Sequence, residues 1–238
     1  MARHLRSVSF PSKRHSNETE VEVELLSLEA SISSPSVTIE AMCDGLRRLG
    51  DVYSQIEEII HFPSNQACPI QRRQMLDREM ESSLELIDFC SSMQENFSEL
   101  KNIIQDLQFV LRRGDDASAQ AKRQSYVYLV KKAQKQSKKI SKKTTFDKEE
   151  CKLARLLLKA RMIAVSLLDS TLCLLSKQVT APKRSLVSKA FQKTRVVVCE
   201  EEQLQGLEGI IGDLEGGVEI LFRRMIQSRV SLLNILSS

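Results

Sequence analysis

Apolar residues recur along most of the chain at alternating spacings of three and four, which is the pattern of one face of an α-helix. The first long stretch of this kind stops before Pro63, because proline cannot continue a helix. At its other end, Ser34 supplies a capping hydroxyl and Pro35 suits the first helical position. The pattern therefore predicts a helix over residues 36–61.

The same period predicts further helices on both sides of this one. Their approximate bounds are 20–31, 70–113, 118–143, 148–179 and 200–236. The first of them, EVEVELLSLEA, also fits strand alternation, but Val21, Leu25 and Leu28 share a helical face. We therefore expect an all-α fold, an elongated antiparallel helical bundle with coiled-coil-like seams. Residues 18–238 would form this single domain, after a disordered basic arm at residues 1–17.

The last predicted helix carries the longest apolar seam. Its buried positions are predicted to be Leu204, Leu207, Ile211, Leu214, Val218, Leu221, Met225, Leu232 and Ile235. Gly206, Gly209 and Gly212 lie off this seam and close to one another on the helix surface. Since each costs about 1 kcal/mol relative to alanine in a helix, we expect them to permit the close approach of a neighbouring helix.

The segment from Met162 to Ser176 is apolar on nearly all sides, so it is either a buried central helix or a membrane span. Fifteen residues at about 1.5 Å each fall short of the roughly 30 Å of a hydrocarbon core, and Asp169 lies in the middle. The length favours a buried helix.

Charge is distributed unevenly around a net value of +4. Residues 18–29 carry five acids and no base, residues 117–146 nine bases and no acid, and residues 200–219 seven acids and no base. One face of the predicted 118–143 helix holds Lys131, Lys132, Lys135, Lys138, Lys139, Lys142 and Lys143. This face is either a solvated or internally paired surface, for which the acids of 200–219 offer partners, or a peripheral binding surface for an anionic membrane. Nucleic acid is not an expected partner, because the face lacks arginine and a platform of aromatic residues.

The residues that carry catalysis or bind metals are sparse. Six cysteines lie more than twenty residues apart, only three histidines are present, and no nucleophile, metal or phosphate motif occurs. We therefore expect a protein that is not an enzyme and needs no cofactor. No apolar leader follows Met1, so the predicted location is cytoplasmic. The Ser-rich, acid-free start leaves a plastid address as the alternative.

The N-terminal stretch RSVSFP has the form of a phosphorylation-dependent docking peptide. Arg6, Ser7, Ser9 and Pro11 match the R-S-x-S-x-P pattern that 14-3-3-type phospho-readers bind. Phosphorylation of Ser9 would add about −1.5 to −2 charges, which an arginine cluster can grip in a bidentate manner. The alternative is a solvated arm without a partner.

Several blocks of the chain resemble the plant BYPASS-type family. They are RSVSFPSKRH, EIIHFPSNQ, LDREMESSLELIDFCSSMQENFSELKNIIQDLQFVLRR, YVYLVKKAQKQSKK, SLVSKAFQK and LFRRMIQSRVSLLNILSS. The resemblance implies a helical plant protein that acts in root and shoot development and restrains a root-derived mobile signal. It implies protein partners and no enzymatic activity, and it specifies neither the partners nor the oligomeric state.

Overall fold

The structure, a computed structural model, describes residues 12–62, 70–141, 151–179 and 192–237. Within these ranges it contains six helices and no strand. They are α1 (Ser12–Ile32), α2 (Ile39–Ile60), α3 (Ile70–Arg112), α4 (Asp116–Ser141), α5 (Lys152–Leu175) and α6 (Gln192–Leu236). The predicted all-α fold is therefore confirmed.

Consecutive helices run in opposite directions, so that α2, α4 and α6 point one way and α1, α3 and α5 the other. Ion pairs between helices report these directions. Arg112 meets Glu201 and Lys101 meets Glu215, which makes α3 and α6 antiparallel. The longest helices, α3 with 43 residues and α6 with 45, are each about 65 Å long at 1.5 Å per residue. The bundle is elongated along this common axis.

The core is built around α6, which packs most extensively against α2 and α3. All nine seam positions predicted on this helix are buried. Burial of one such aliphatic side chain contributes about 1.5–3 kcal/mol, so this seam is a major source of stability.

On the other side of the core, α5 packs against α1, α2, α3 and α4. Its apolar segment is buried by these neighbours, as the length of that segment predicted. Among the described residues, no helix combines the length and apolar character needed to cross a bilayer.

The start predicted for α2 at Ser34 and Pro35 is wrong. Thr38 caps the helix instead, with an extended backbone and a side-chain oxygen that accepts a hydrogen bond from the Ala41 amide at 3.2 Å. The apolar period begins only at Ile39, so an earlier start would bury no further seam residue.

Two helices begin about eight residues earlier than the apolar pattern indicated. Helix α1 begins at Ser12, so residues 12–17 are helical rather than part of a disordered arm, and α6 begins at Gln192. Neither extension contains glycine or proline, so the backbone can continue the helix. Residues 12–19 hold no apolar residue, and the valines at 196–198 are consecutive, so neither extension shows the helical spacing of three and four. The other ends lie within four residues of their predicted positions. Residues 1–11 lie outside the described residues.

The expected role of the glycines in α6 is also wrong. A Cβ added at Gly206, Gly209 or Gly212 would meet no atom within 4 Å, so these residues do not admit a neighbouring helix. The close approach lies at Gly217, where an added Cβ would be 3.1 Å from the Leu46 Cβ of α2. A second close approach lies at Gly50 of α2, where an added Cβ would be 2.9 Å from Ile220 Cγ2 of α6, so both contacts limit the separation of the two helices.

Alanine substitution should therefore act in opposite directions along α6. Gly206→Ala and Gly209→Ala should each raise the free energy of unfolding by up to about 1 kcal/mol, because alanine restricts the unfolded chain and fits the open space. Gly217→Ala should lower it, because α2 would have to move away. Urea denaturation measures all three, and equal stabilisation by Gly217→Ala would contradict the close packing of α2 on α6.

Candidate functional site

Polar side chains flank the contact between α3 and α6 at intervals of seven residues. The polar pairs are Arg112 with Glu201, Gln105 with Glu208, and Ser98 with Glu215, which Lys101 also contacts. A seven-residue interval on both helices keeps these pairs beside the apolar seam along its length. Three of the seven acids in 200–219 therefore contact polar side chains of α3.

A buried ion pair joins α3 to α5. Arg161 Nε donates to Glu79 Oε1 at 2.7 Å, and a second guanidinium nitrogen lies 3.3 Å from Oε2. Both residues are less than one-tenth exposed. Burial, followed by the nearby Glu79 charge, raises the pKa of Tyr53 well above its usual range. Tyr53 is therefore neutral, and Glu79 and Arg161 are paired with each other. This arrangement is typical of a structural site.

A small cavity beside this pair has a volume of about 20 Å³. Ser228 lines it, and the buried Ser228 hydroxyl has no protein partner. A cavity of this size holds one water molecule, which could bond that hydroxyl, but no larger ligand. The interior near Glu79 is therefore not a binding pocket for a metabolite.

Two of the described cysteines, Cys43 and Cys90, are buried and lack the features of reactive thiols. Burial raises the pKa of Cys90 to about 12, and burial together with the Asp213 charge raises that of Cys43 to about 11. Both thiols stay protonated near neutral pH. In the described part of the chain, no three His, Cys, Asp or Glu side chains form a group that could hold a metal ion.

The strongest candidate for a functional site is the exposed face of α4. We define the lysine surface as Lys131, Lys132, Lys135, Lys138 and Lys139. All five are exposed, and none forms an ion pair with a described residue. Lys142 and Lys143, which the sequence places on the same face, lie outside the described residues.

Tyr128 lies on the same side of α4 at the N-terminal end of the lysine surface and is 71% exposed. The opposite face of α4, which includes the buried Tyr126 and Val130, packs against α3 and α5. The sequence pattern did not single out Tyr128, although it precedes Lys131 and Lys132 by three and four residues. The surface therefore combines unpaired positive charge with one amphipathic ring.

The expected neutralisation of the lysine surface by the acids of 200–219 is wrong for the described residues. Helix α6 packs against α2 and α3, where Asp213 meets Arg47 and Glu215 meets Lys101. Among the described contacts, only Arg123 with Glu200 joins α4 to this acidic block. Because α4 must bury its apolar face on α3 and α5, its lysines point away from α6.

The predicted docking motif at Arg6, Ser7, Ser9 and Pro11 lies outside the described residues. It directly precedes α1, whose first residue is Ser12. No contact of this motif is therefore described, and the docking motif stays a prediction.

Removal of either member of the buried pair should destabilise the bundle strongly. Glu79→Leu or Arg161→Leu should each cost about 3–5 kcal/mol, because each leaves an uncompensated buried charge, and the double variant should cost less than the sum. Arg223→Leu is the control, since Arg223 pairs with Glu219 on the exposed surface of α6. Chemical denaturation gives the free energies, and single losses as small as that of the control would contradict a buried pair.

Comparison with known proteins adds one match. Neither a curated protein sequence nor a solved structure matches the chain. A family model described as Protein BPS1 matches residues 45–235, which extend from α2 to the end of α6. This agrees with the BYPASS-type resemblance of the sequence blocks. Because the match covers most of the chain, the protein belongs to the BPS1 family.

Proposed function

We propose that this protein is a non-enzymatic regulator of plant root and shoot development that acts through protein contacts. The observation that carries the proposal is the BPS1 family match over residues 45–235. The resemblance to BYPASS-type proteins links this role to restraint of a root-derived mobile signal. The described interior supports a structural rather than a catalytic role, since its buried charges are paired and its small cavity admits only water.

A first contact mode is phosphorylation-dependent. Ser9 lies three residues before Ser12, the first residue of α1. A 14-3-3-type reader would grip the phosphate through arginines, and Pro11 would direct the chain out of its groove. We place this activity in the cytoplasm, with the plastid as the alternative if the N-terminal segment acts as an address.

Affinity purification from plant seedlings tests this mode. Tagged wild-type protein should retain a partner that Ser9→Ala loses, because alanine cannot carry the phosphate. Ser16→Ala, which changes a serine outside the motif, is the matched control and should retain the partner. Peptides from residues 1–11 in the recovered chain establish that the motif was present. Identical partner lists for all three proteins would reject the phosphorylation-dependent mode.

A second candidate function is that of a peripheral membrane adaptor. It is favoured by the lysine surface, whose five described lysines have no ion pair with a described residue. A lysine near an anionic leaflet contributes about 1 kcal/mol, so five can hold the protein reversibly. Tyr128 would add an aromatic ring at the depth of the lipid headgroups. The lysines provide point charges suited to a diffuse anionic surface rather than to bidentate recognition.

Flotation with liposomes tests the membrane function. Wild-type protein should float with phosphatidylserine-containing vesicles and not with neutral ones. The salt concentration is about 100 mM, at which the Debye length is about 10 Å. Replacement of Lys135, Lys138 and Lys139 by Glu should reduce the bound fraction at least about tenfold.

The control for this experiment replaces Arg73, Lys177 and Arg223 by Glu. These exposed residues lie on other helices or on the turn after α5, and their replacement changes the net charge by the same amount. The control should float like the wild type. Equal loss in both triple variants would mean that net charge alone drives binding, and would reject the lysine surface as the membrane site.

A further inference from the structure

Helix α1 is an edge helix that packs against α2 and α5. It buries Val21, Leu25 and Leu28 completely, whereas Val23 and Leu26 on its outer side are 60% and 55% exposed. The buried residues are spaced by four and three, so they form one narrow stripe. A single stripe of three aliphatic side chains lies in the groove between α2 and α5.

Four cations form the rim of this groove. Arg48 of α2 binds Glu24 at 2.7 Å and Ser27 at 2.8 Å. On the α5 side the pairs are Lys152 with Glu18 at 3.1 Å, Arg155 with Glu22 at 3.1 Å, and Lys159 with Glu29 at 3.3 Å. The carboxylates of α1 flank its apolar stripe on both sides. The groove is therefore complementary to an acidic amphipathic helix.

A cavity of about 260 Å³ lies where the last turn of α1 meets α5. Glu29 and Ile32 of α1 line it, together with Lys159, Met162 and Ile163 of α5. The groove is therefore incompletely filled by α1 at this end, beside the last cation of the row.

The walls of the groove lie within the residues that match the BPS1 family, and α1 precedes them. The family match begins at residue 45, so Arg48 and all of α5 are included. Residues 33–38 connect α1 to α2. Arg48 and α5 of the groove therefore lie inside the family match, whereas α1, which fills the groove, lies outside it.

We infer that the groove between α2 and α5 is a docking site for an acidic amphipathic helix of a partner protein, and that α1 is its internal occupant. The partner would carry aliphatic residues at spacings of four and three with carboxylates on both flanks. Partner binding and release of α1 are then linked, because both helices require the same cations. This inference rests on the proposed function, since it names a partner class for a protein that acts by contacts.

The test uses the full-length protein and, as a probe, a fluorescent peptide of residues 12–33 of this chain. Leu25→Ala/Leu28→Ala should weaken the internal α1 without changing the groove, and should bind the peptide at least tenfold tighter than the wild type by fluorescence anisotropy. Val23→Ala/Leu26→Ala changes two exposed residues of the same helix and should bind like the wild type. Adding Arg155→Glu to the first variant should abolish this gain in affinity for the peptide. A peptide that carries Glu18→Lys, Glu22→Lys and Glu29→Lys should show no such gain either.

Hydrogen exchange distinguishes the possible failures. In Leu25→Ala/Leu28→Ala, faster exchange should be confined to α1, with α2 to α6 as protected as in the wild type. Loss of protection throughout would show that α1 is integral to the fold, and would overturn the inference. No gain in peptide binding by a folded variant would also overturn it, as would equal binding of the lysine peptide. Dimers that exchange α1, detected by light scattering, would assign the groove to a second copy and overturn the partner assignment.

The proposed function can fail separately from this inference. Affinity purification with Ser9→Ala depends on the N-terminal motif, whereas peptide binding depends on the groove. If Ser9→Ala loses a partner but the groove does not bind the peptide, the proposed regulatory function is retained and the docking site is rejected.

Discussion

Burial of the α6 seam between α2 and α3 is the interaction on which the rest of the bundle depends. Helix α6 extends along almost the whole bundle, so its seam aligns two neighbours that are far apart in the chain. The contact of Gly217 with Leu46 fixes how closely α2 approaches it. Helices α4 and α5 pack on this framework, and α1 lies on α2 and α5 at its edge. Apolar burial provides the driving force, and the close contacts select one arrangement.

The charged residues serve two different purposes, which their distance from the seams decides. Acids in α1 and α6 lie beside apolar contacts and meet cations of neighbouring helices, as Glu215 meets Lys101. Partly exposed pairs of this kind contribute little free energy each, but a mismatched register would bring like charges together. The lysines on the outer side of α4 have no such role in alignment. Among the described residues, these lysines form no ion pair.

The pair of Glu79 and Arg161 adds a charged constraint to a predominantly apolar interior. A displacement of α3 along α5 would leave both charges buried and unpaired, which costs far more than the loss of an equal apolar contact. Nothing in the local sequence distinguishes these two residues from the many exposed charges around them. Their pairing depends on two helices that lie about eighty residues apart, so only packing reveals it.

The sequence by itself determined the all-α fold, the buried stripe from Leu204 to Ile235 and most helix ends, because helical period and proline act over a few residues. It did not determine the starts of α1 and α6, since a helix can continue through residues that lack an apolar period of three and four. Only the tertiary structure decided that Gly217 rather than Gly206 meets a neighbour, and that the acids of α6 face α3 and α2 instead of the lysines of α4. These outcomes depend on which helices are adjacent, and adjacency follows from long-range packing of seams that look alike in the sequence.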